Sequence, residues 1–410
     1  MTTAPHAGSA TPADPALLSD ESPALNRMLA IVNRLAAAEF TGRRTGTPGG
    51  HAAAAWLAQQ LRQAGATVTL DPFPVRGSIR ELHATPHLRY TDTTRTHALI
   101  HRRDFCEHLA TTDLPQPVTG PITRPEDDPR GAWILLDDGY DLTLAQAAAK
   151  HGALGLLVSR GTDADGWMPK MIAGPATGPL PVLAVHTDWH HRMRASRGQI
   201  TASAPLRTVD AEAVNVYATF ATVGRSGPKV LLTAHYDGVG DDPEQRFPAA
   251  ADNASGVAAV IETARQLIAD HTAFTLTVAL LDAEEAGAHG SAHHAPQVPE
   301  DTIVINLDGA AALHEAAAVE AAGPAHALLA ALDRAGRDTG VPLRGQAMPS
   351  DNRRYAAAGL AAVGIGMGMP GYQTPAETPD RVQPATLLAA TRLLTATVKH
   401  HVAGHESSQR

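Results

Sequence analysis

After about Ala213 the chain alternates short apolar runs with helical faces, and this alternation restricts its fold more than any other feature. Val230 to Ala234, Phe274 to Leu281 and Thr302 to Leu307 read as apolar strands. Between the first two, Val257, Val260, Ile261, Ala264, Leu267 and Ile268 share one face of a helix, and a last helix is expected from about Pro384 to Val402. Alternating elements of this kind build a three-layer α/β/α sandwich on a mixed, largely parallel central sheet.

The first half is organised differently. Leu25, Met28, Leu29, Val32 and Leu35 recur at helical spacing, as do Trp56, Leu57 and Leu61 after the breaker Thr47-Pro48-Gly49-Gly50, and Val68, Leu70 and Phe73 then alternate as in a strand. From about 83 to 212 the texture is Pro-, Thr- and Asp-rich, with short apolar runs at Ala132 to Leu136 and Gly155 to Val158 and one short helix expected over Leu142 to Lys150. This segment reads as a small β-rich unit inserted between 24–82 and 213–402, and the composition of 1–23 suggests a disordered tail, with a second short tail over 403–410.

Composition narrows the function. Thirty-three basic against 42 acidic residues leave a formal net charge of -9 without a long Lys/Arg run, which argues against a nucleic-acid partner. No 18-residue apolar window predicts a membrane span, and the N-terminus has neither a basic n-region nor an apolar h-region, so the expected setting is the cytoplasm. With Cys106 the sole cysteine, a metal site has to draw on carboxylates and on the 21 histidines.

Those groups cluster where such sheets place their sites. His235 and Asp237 follow the first strand, Asp282, Glu284 and Glu285 the second, and Asp308 the third, all at carboxyl ends, while Asp252 stands just ahead of a helix. Taken singly, Asp252 or Asn253 is a helix cap, Glu284-Glu285 a solvated pair and His235 a satisfied histidine; their coincidence on one rim weakens each of these readings. A cation such as zinc accepts imidazole nitrogen and carboxylate oxygen, and one Asp can bridge two ions. A neighbouring carboxylate, Glu284 or Glu285, is then placed to take a proton from water, and Asp237, two residues past His235, to orient its imidazole.

The ordered set His235-Tyr-Asp237, Asp252-Asn-Ala-Ser-Gly256, Glu284-Glu285-Ala-Gly-Ala-His-Gly-Ser291 and Ile305-Asn-Leu-Asp308 resembles the co-catalytic zinc aminopeptidases of the M28 peptidase family. The opening Glu39 to Gly50 is similar to that family's N-terminal signature. The middle unit resembles a protease-associated domain in Gly131 to Asp137, Ala145 to Val158 and Pro179 to Val185. The resemblance, covering about 25 to 402, implies a zinc exopeptidase-like fold, Asp252 as bridging ligand, His235 and Asp308 completing one metal site, Glu285 and residue 373 in a second, Glu284 as general base, Asp237 as the partner orienting His235, and Tyr372 as a donor to the developing oxyanion.

One departure stands out. Where the family usually reads Tyr-His-Thr-Pro, this chain has Tyr372-Gln373-Thr374-Pro375, and the following acid is Glu377 where Asp is commoner. Gln373 offers a neutral carbonyl oxygen, a poorer zinc ligand than imidazole, so one site is expected intact and the second weakened. The amide oxygen ligates, a nearby histidine (His289, His293 or His294) substitutes, or the enzyme runs on one ion. The expected function is zinc-dependent, aminopeptidase-type hydrolysis of a small peptide or amino-acid conjugate by metal-activated water. Two alternatives stay open: a mononuclear-zinc enzyme of the same fold, akin to glutaminyl cyclases or using other acyl or amine chemistry, and a catalytically degenerate peptide-binding protein.

Overall fold

The computed structural model describes residues 15–170, 178–220, 227–270 and 274–408. Helices α1 (Pro15–Leu35) and α2 (Pro48–Gln63) precede a long strand, β1 (Ala66–Leu82). There follow β2 (Leu88–Thr91), β3 (Thr96–Ala98), β4 (Phe105–Glu107), β5 (Leu114–Thr123), β6 (Trp133–Leu136), α3 (Leu142–Lys150), β7 (Gly155–Arg160), β8 (Val182–His186), α4 (Thr187–Ser196) and β9 (Gln199–Ala204). The chain returns through β10 (Leu206–Phe220) to β11 (Lys229–His235), α5 (Gly256–Ala269), β12 (Thr275–Leu281), α6 (His289–His294), β13 (Thr302–Leu307), β14 (Ala317–Ala322), α7 (His326–Thr339), β15 (Leu343–Gly345), α8 (Asn352–Ala357), β16 (Ala361–Gly366) and α9 (Pro384–Ser408).

Among the described residues these strands form two sheets. The first has the order β1-β10-β12-β11-β13-β16-β14-β15, and its central strands β12, β11, β13 and β16 are mutually parallel, flanked by antiparallel neighbours. The central strands are apolar at most positions because both faces are covered, and the buried polar pair Thr233 and Asn306 is satisfied by a hydrogen bond from Thr233 Oγ1 to Asn306 Oδ1 at 2.7 Å. Val230, Leu232 and Ala234 of β11 face a core shared with α1, α2, α5, α7 and α9, whereas Leu231 turns to a second core with Leu281, Val304 and Tyr355 of α8. That is the α/β/α arrangement with a mixed sheet expected from the alternation.

The second sheet, β3-β2-β9-β5-β6-β7-β8-β4, lies between the two strands of a long antiparallel ribbon, β1 against β10. The chain leaves and re-enters this unit side by side, the His83 N–H donating to the Pro205 carbonyl at 3.0 Å, so an insertion of this size adds no demand on the first sheet's geometry. Its helix α3 matches the expected Leu142 to Lys150, and Asp141 caps it by accepting the Leu144 N–H at 2.7 Å.

Three local expectations are corrected. The stretch expected as a tail up to Pro23 is helical from Pro15, since a proline is compatible with the first turn of a helix and the run Ala16 to Glu21 contains no breaker; residues 1–14 lie outside the described set. The C-terminal helix likewise continues past Val402 to Ser408. Thr47 to Gly50 is a helix start: Thr47 caps α2 by accepting the Gly50 N–H at 3.1 Å and Pro48 occupies the first turn, where its missing N–H costs nothing.

Candidate metal centre and active site

Three of the parallel strands, β11, β12 and β13, end on one rim, and each delivers a polar side chain there. His235 is the last residue of β11, Asp308 follows β13, and Glu284 and Glu285 lie in the turn after β12. Asp252 sits in an irregular turn, outside helical angles, before α5. Its neighbour Asn253 does the capping: Asn253 Oδ1 accepts the Gly256 and Gly309 N–H groups at 3.1 and 2.9 Å, and its Nδ2 donates to the Leu307 carbonyl at 2.9 Å. A Cβ on Gly256 would lie 2.1 Å from Asn253 Oδ1, so glycine is required for this clamp. Asn253 thereby ties the start of α5 to the end of β13 and leaves the Asp252 carboxylate free.

The result is a compact donor set. His235 Nε2 lies 3.0 Å from Asp252 Oδ1 and 3.1 Å from Asp308 Oδ1, all three residues are buried, and their ligand atoms fall within 4.8 Å of one another. Burial opposes a charge on His235, but Asp308, Asp237 and Asp252 outweigh it and hold the imidazole pKa well above its usual value. Burial pushes the Asp252 carboxyl up. An imidazole and two carboxylates so close suit a divalent cation.

Around them stand oxygens without partners. Glu285 Oε1 and Gln373 Oε1 are buried and accept no hydrogen bond, and Asp252 Oδ1 has only the His235 imidazole beside it, which Asp308 shares. Buried acceptors are nearly always satisfied, so such under-supplied oxygens on one rim fit a cation bound between them. The residues present therefore fit zinc at His235, Asp252 and Asp308, and the second position, toward Glu285 and Gln373, is differently built. Gln373 Nε2 donates to Glu285 Oε2 at 2.6 Å, which engages one of the oxygens a second ion would use. Gln373 itself adopts a left-handed backbone, φ 54°, held by its N–H on Glu377 Oε2 at 2.8 Å; Glu377 Oε1 accepts the Asp252 N–H at 2.5 Å. One carboxylate thus braces both residues.

Asp237 is fully buried, 3.5 Å from His235 Nδ1, and its two carboxylate oxygens accept the N–H groups of Glu284 and Glu285 at 3.1 and 3.2 Å. Its position does not come from strand alternation, because β11 stops at His235. Glu284 is half-buried and borders a cavity with Glu285, Tyr372 and Gln373. Burial raises the Glu284 carboxyl well above its usual value, His235 opposing and Asp308 and Asp351 reinforcing the shift. Tyr372 is exposed as a whole, but desolvation of its hydroxyl and the adjacent carboxylates, Glu285 foremost, push the phenol pKa up.

The remaining acid at a strand end does not join this set. Asp282 points away, accepting Thr45 Oγ1 at 2.7 Å, the Val214 N–H at 2.9 Å and Tyr236 Oη at 3.1 Å, and burial together with Asp237 pushes its pKa up to about 6. The candidate substitute histidines are engaged elsewhere: His289 with Ser78 at 2.8 Å, His293 with Asp71 at 3.0 Å and His294 with Tyr355 at 2.8 Å. None belongs to the ligand group formed among the described residues.

Two residues escaped the sequence reading. Asp351, fully buried before α8, accepts Ser291 Oγ at 2.5 Å, and burial pushes its carboxyl up to about 7. Only its place beside a strand crossover could have signalled it. Arg43 is buried with its guanidinium donating to the carbonyls of Tyr236, Leu35, Pro248 and Ala249 at 2.7 to 2.9 Å, which fixes the loops on either side of Asp237 and Asp252. It lies within the Glu39 to Gly50 segment that the sequence marked.

Known proteins share this fold and part of this sequence. The α/β fold is that of zinc aminopeptidases: a zinc aminopeptidase from Bacillus subtilis superposes with a TM-score of 0.69 at 20% identity, over 91% of this chain and 94% of that one. A peptidase M28 precursor from Shewanella amazonensis gives 0.70 at 18% identity, over 93% and 94%. The family model described as peptidase family M28 matches residues 215–398, the segment holding every acid of the rim. A probable lipoprotein aminopeptidase of Mycobacterium tuberculosis is 29% identical over 279 residues, 64% of this chain and 52% of its own length, so the chain spans about half of that relative. That relative is named a lipoprotein, which does not bear out the cytoplasmic setting expected from the sequence. No helix among the described residues is long and apolar enough to cross a membrane.

Proposed function

We propose that the chain is a peptidase of the M28 kind, a zinc-dependent aminopeptidase that removes the N-terminal residue of a small peptide or hydrolyses an amino-acid conjugate. The observation that carries this reading is the buried group His235, Asp252 and Asp308 surrounded by acceptors without donors, opening on a cavity bordered by Glu284. The match to the M28 model over 215–398 supports it.

His235, Asp252 and Asp308 hold the first ion. When bound, zinc lowers the pKa of water and polarises a carbonyl. Glu284 then holds and passes on the proton given up by water and delivers it to the leaving amine. Asp237 fixes the imidazole of His235 and, through two N–H groups, the turn carrying Glu284. The Tyr372 hydroxyl donates to the oxygen that gains charge as the carbonyl is attacked. A second, weaker position falls to Asp252, Glu285 and Gln373, since a neutral amide replaces an imidazole there and its N–H engages Glu285. The segment 83–212 is read as a protease-associated-type insert.

Metal content per chain, measured by elemental analysis after desalting in the absence of chelator, tests the centre. About one zinc in the wild type and two in Gln373→His supports the reading; two in the wild type removes the special role of Gln373, and none in either removes the metal centre. Glu284→Gln is expected to keep its metal while turnover falls by about 10²- to 10⁴-fold, and normal turnover would exclude Glu284 as the proton carrier.

A further inference from the structure

The cavity of about 410 Å³ that opens on Glu284 and Glu285 has an unexpected composition on another part of its wall, where α8 contributes Arg353 and Arg354. The two guanidiniums are not equivalent. Arg353 is neutralised: its Nε lies 3.1 Å from Glu320 Oε2, and Glu320 is further held by the Met348 N–H at 2.9 Å. Arg354 donates from Nη2 to the Gly287 carbonyl at 2.8 Å, a neutral partner, and among the described residues no carboxylate pairs with it. The Gly287 N–H in turn donates to the Glu284 carbonyl at 2.8 Å, so a single tight turn ties the Arg354 side chain to the backbone of the proposed proton carrier. The cavity therefore has two carboxylates at the metal rim and a tethered, uncompensated cation on its wall.

An aminopeptidase fixes the direction of its substrate. The free amino end and the scissile carbonyl belong at the acidic rim, so the space beyond is left for whatever follows the scissile bond. A guanidinium there, already anchored through one N–H, loses little freedom when its remaining donors take a planar anion. We propose that Arg354 is a specificity determinant that binds a carboxylate on the leaving side of the substrate. The favoured substrates are then short peptides whose residue after the scissile bond is anionic, through either the free C-terminus of a dipeptide or an acidic side chain. The inference rests on the aminopeptidase reading for the orientation of the substrate.

Three ligands separate the possibilities: Leu-Ala, Leu-Ala amide and Leu-Glu amide, used with the zinc-loaded full chain, with Arg354→Gln and with Arg354→Lys. Hydrolysis is followed by kcat/KM, and affinity by calorimetry in a Glu284→Gln background. The wild type is expected to favour a carboxylate-bearing ligand over Leu-Ala amide by about tenfold or more in both readouts, the ratio falling to about one in Arg354→Gln and only partly in Arg354→Lys. A preference confined to Leu-Ala identifies the main-chain carboxylate as the group bound, and one confined to Leu-Glu amide identifies the side chain. A ratio of about one in the wild type, or a ratio unchanged in Arg354→Gln, overturns the role of Arg354 while hydrolysis of all three leaves the peptidase reading standing. Calorimetric preference lost in Arg354→Gln without hydrolysis of any ligand supports the carboxylate site and overturns the peptidase reading. Absence of both binding and hydrolysis overturns both.

Discussion

Gln373 and Asp237 illustrate how much a single side chain decides here. An imidazole at 373 would present one nitrogen to a cation, whereas the Gln373 amide presents an oxygen and donates its N–H to Glu285, which on the proposed reading weakens the second metal position. Asp237 has the opposite character, touching no proposed metal or substrate position itself while fixing His235, Glu284 and Glu285, which do. Asp237→Asn replaces an acceptor by a donor facing two N–H groups. We expect zinc to stay bound and kcat to fall by about 10- to 100-fold, read from steady-state kinetics alongside metal content. For Asp252→Asn the expected loss is of the ion itself: zinc should raise the unfolding temperature of the wild type and not of the variant.

At the scale of elements, strand ends and the turns after them do the positioning. β11, β12 and β13 run parallel, so their last residues share one rim, and Asn253, Arg43 and Glu377 lock the connecting turns to one another. The insert is joined to the same turns by a buried ionic group. Asp242, in the loop following β11, lies 3.0 Å from Arg102 Nε and 2.9 Å from Lys170 Nζ, and Arg102 also pairs with Glu107. The Lys170 N–H donates to the Gln373 carbonyl at 2.8 Å, so the insert touches the site loop directly. Burial disfavours the charge on Asp242, but Arg102 and Lys170 outweigh it and hold its carboxyl well below the usual range. A depressed carboxylate stabilises the fold above its unfolded value of about 3.9, and the contribution is lost as the pH falls. Asp242→Asn leaves two buried cations short of a partner and should cost about 3–5 kcal/mol near pH 7, with a shallower acid dependence below pH 4, as read by denaturant unfolding.

For the whole molecule, stability should depend on pH well above that acid limb as well. His294 stacks on Tyr217 with ring centroids 4.2 Å apart and bonds Tyr355, and burial pushes its pKa down to about 4 from 6.5. The unfolded chain therefore binds a proton between those values that the folded chain refuses, and stability rises with pH across the window. At pH 5 the folded state should be weaker by about 2 kcal/mol than at pH 7.5 on this account. Unfolding free energies of the wild type and His294→Gln at the two pH values check it: the difference should shrink in the variant, and an undiminished difference would place its origin elsewhere.

The alternation of apolar strands with one-faced helices was enough, by itself, to determine the sandwich, because the two-residue and 3.6-residue periods are local properties and continuous apolar strands have to be covered on both faces. The same argument placed His235, Asp308 and the Glu284 turn on one rim, since carboxyl ends of parallel strands coincide whatever the loops do. Only the tertiary structure distinguished acids with similar addresses. Asp282 and Asp308 both follow core strands, yet Asp282 is consumed by Thr45, Val214 and Tyr236 from elements distant in the chain, whereas Asp308 stays against His235. The assignment of the cap to Asn253, the use of Gln373 against Glu285, and the approach of Lys170 to the site are equally non-local. Each depends on which donors and acceptors are brought within about 3 Å, which three-dimensional packing decides and no residue spacing encodes.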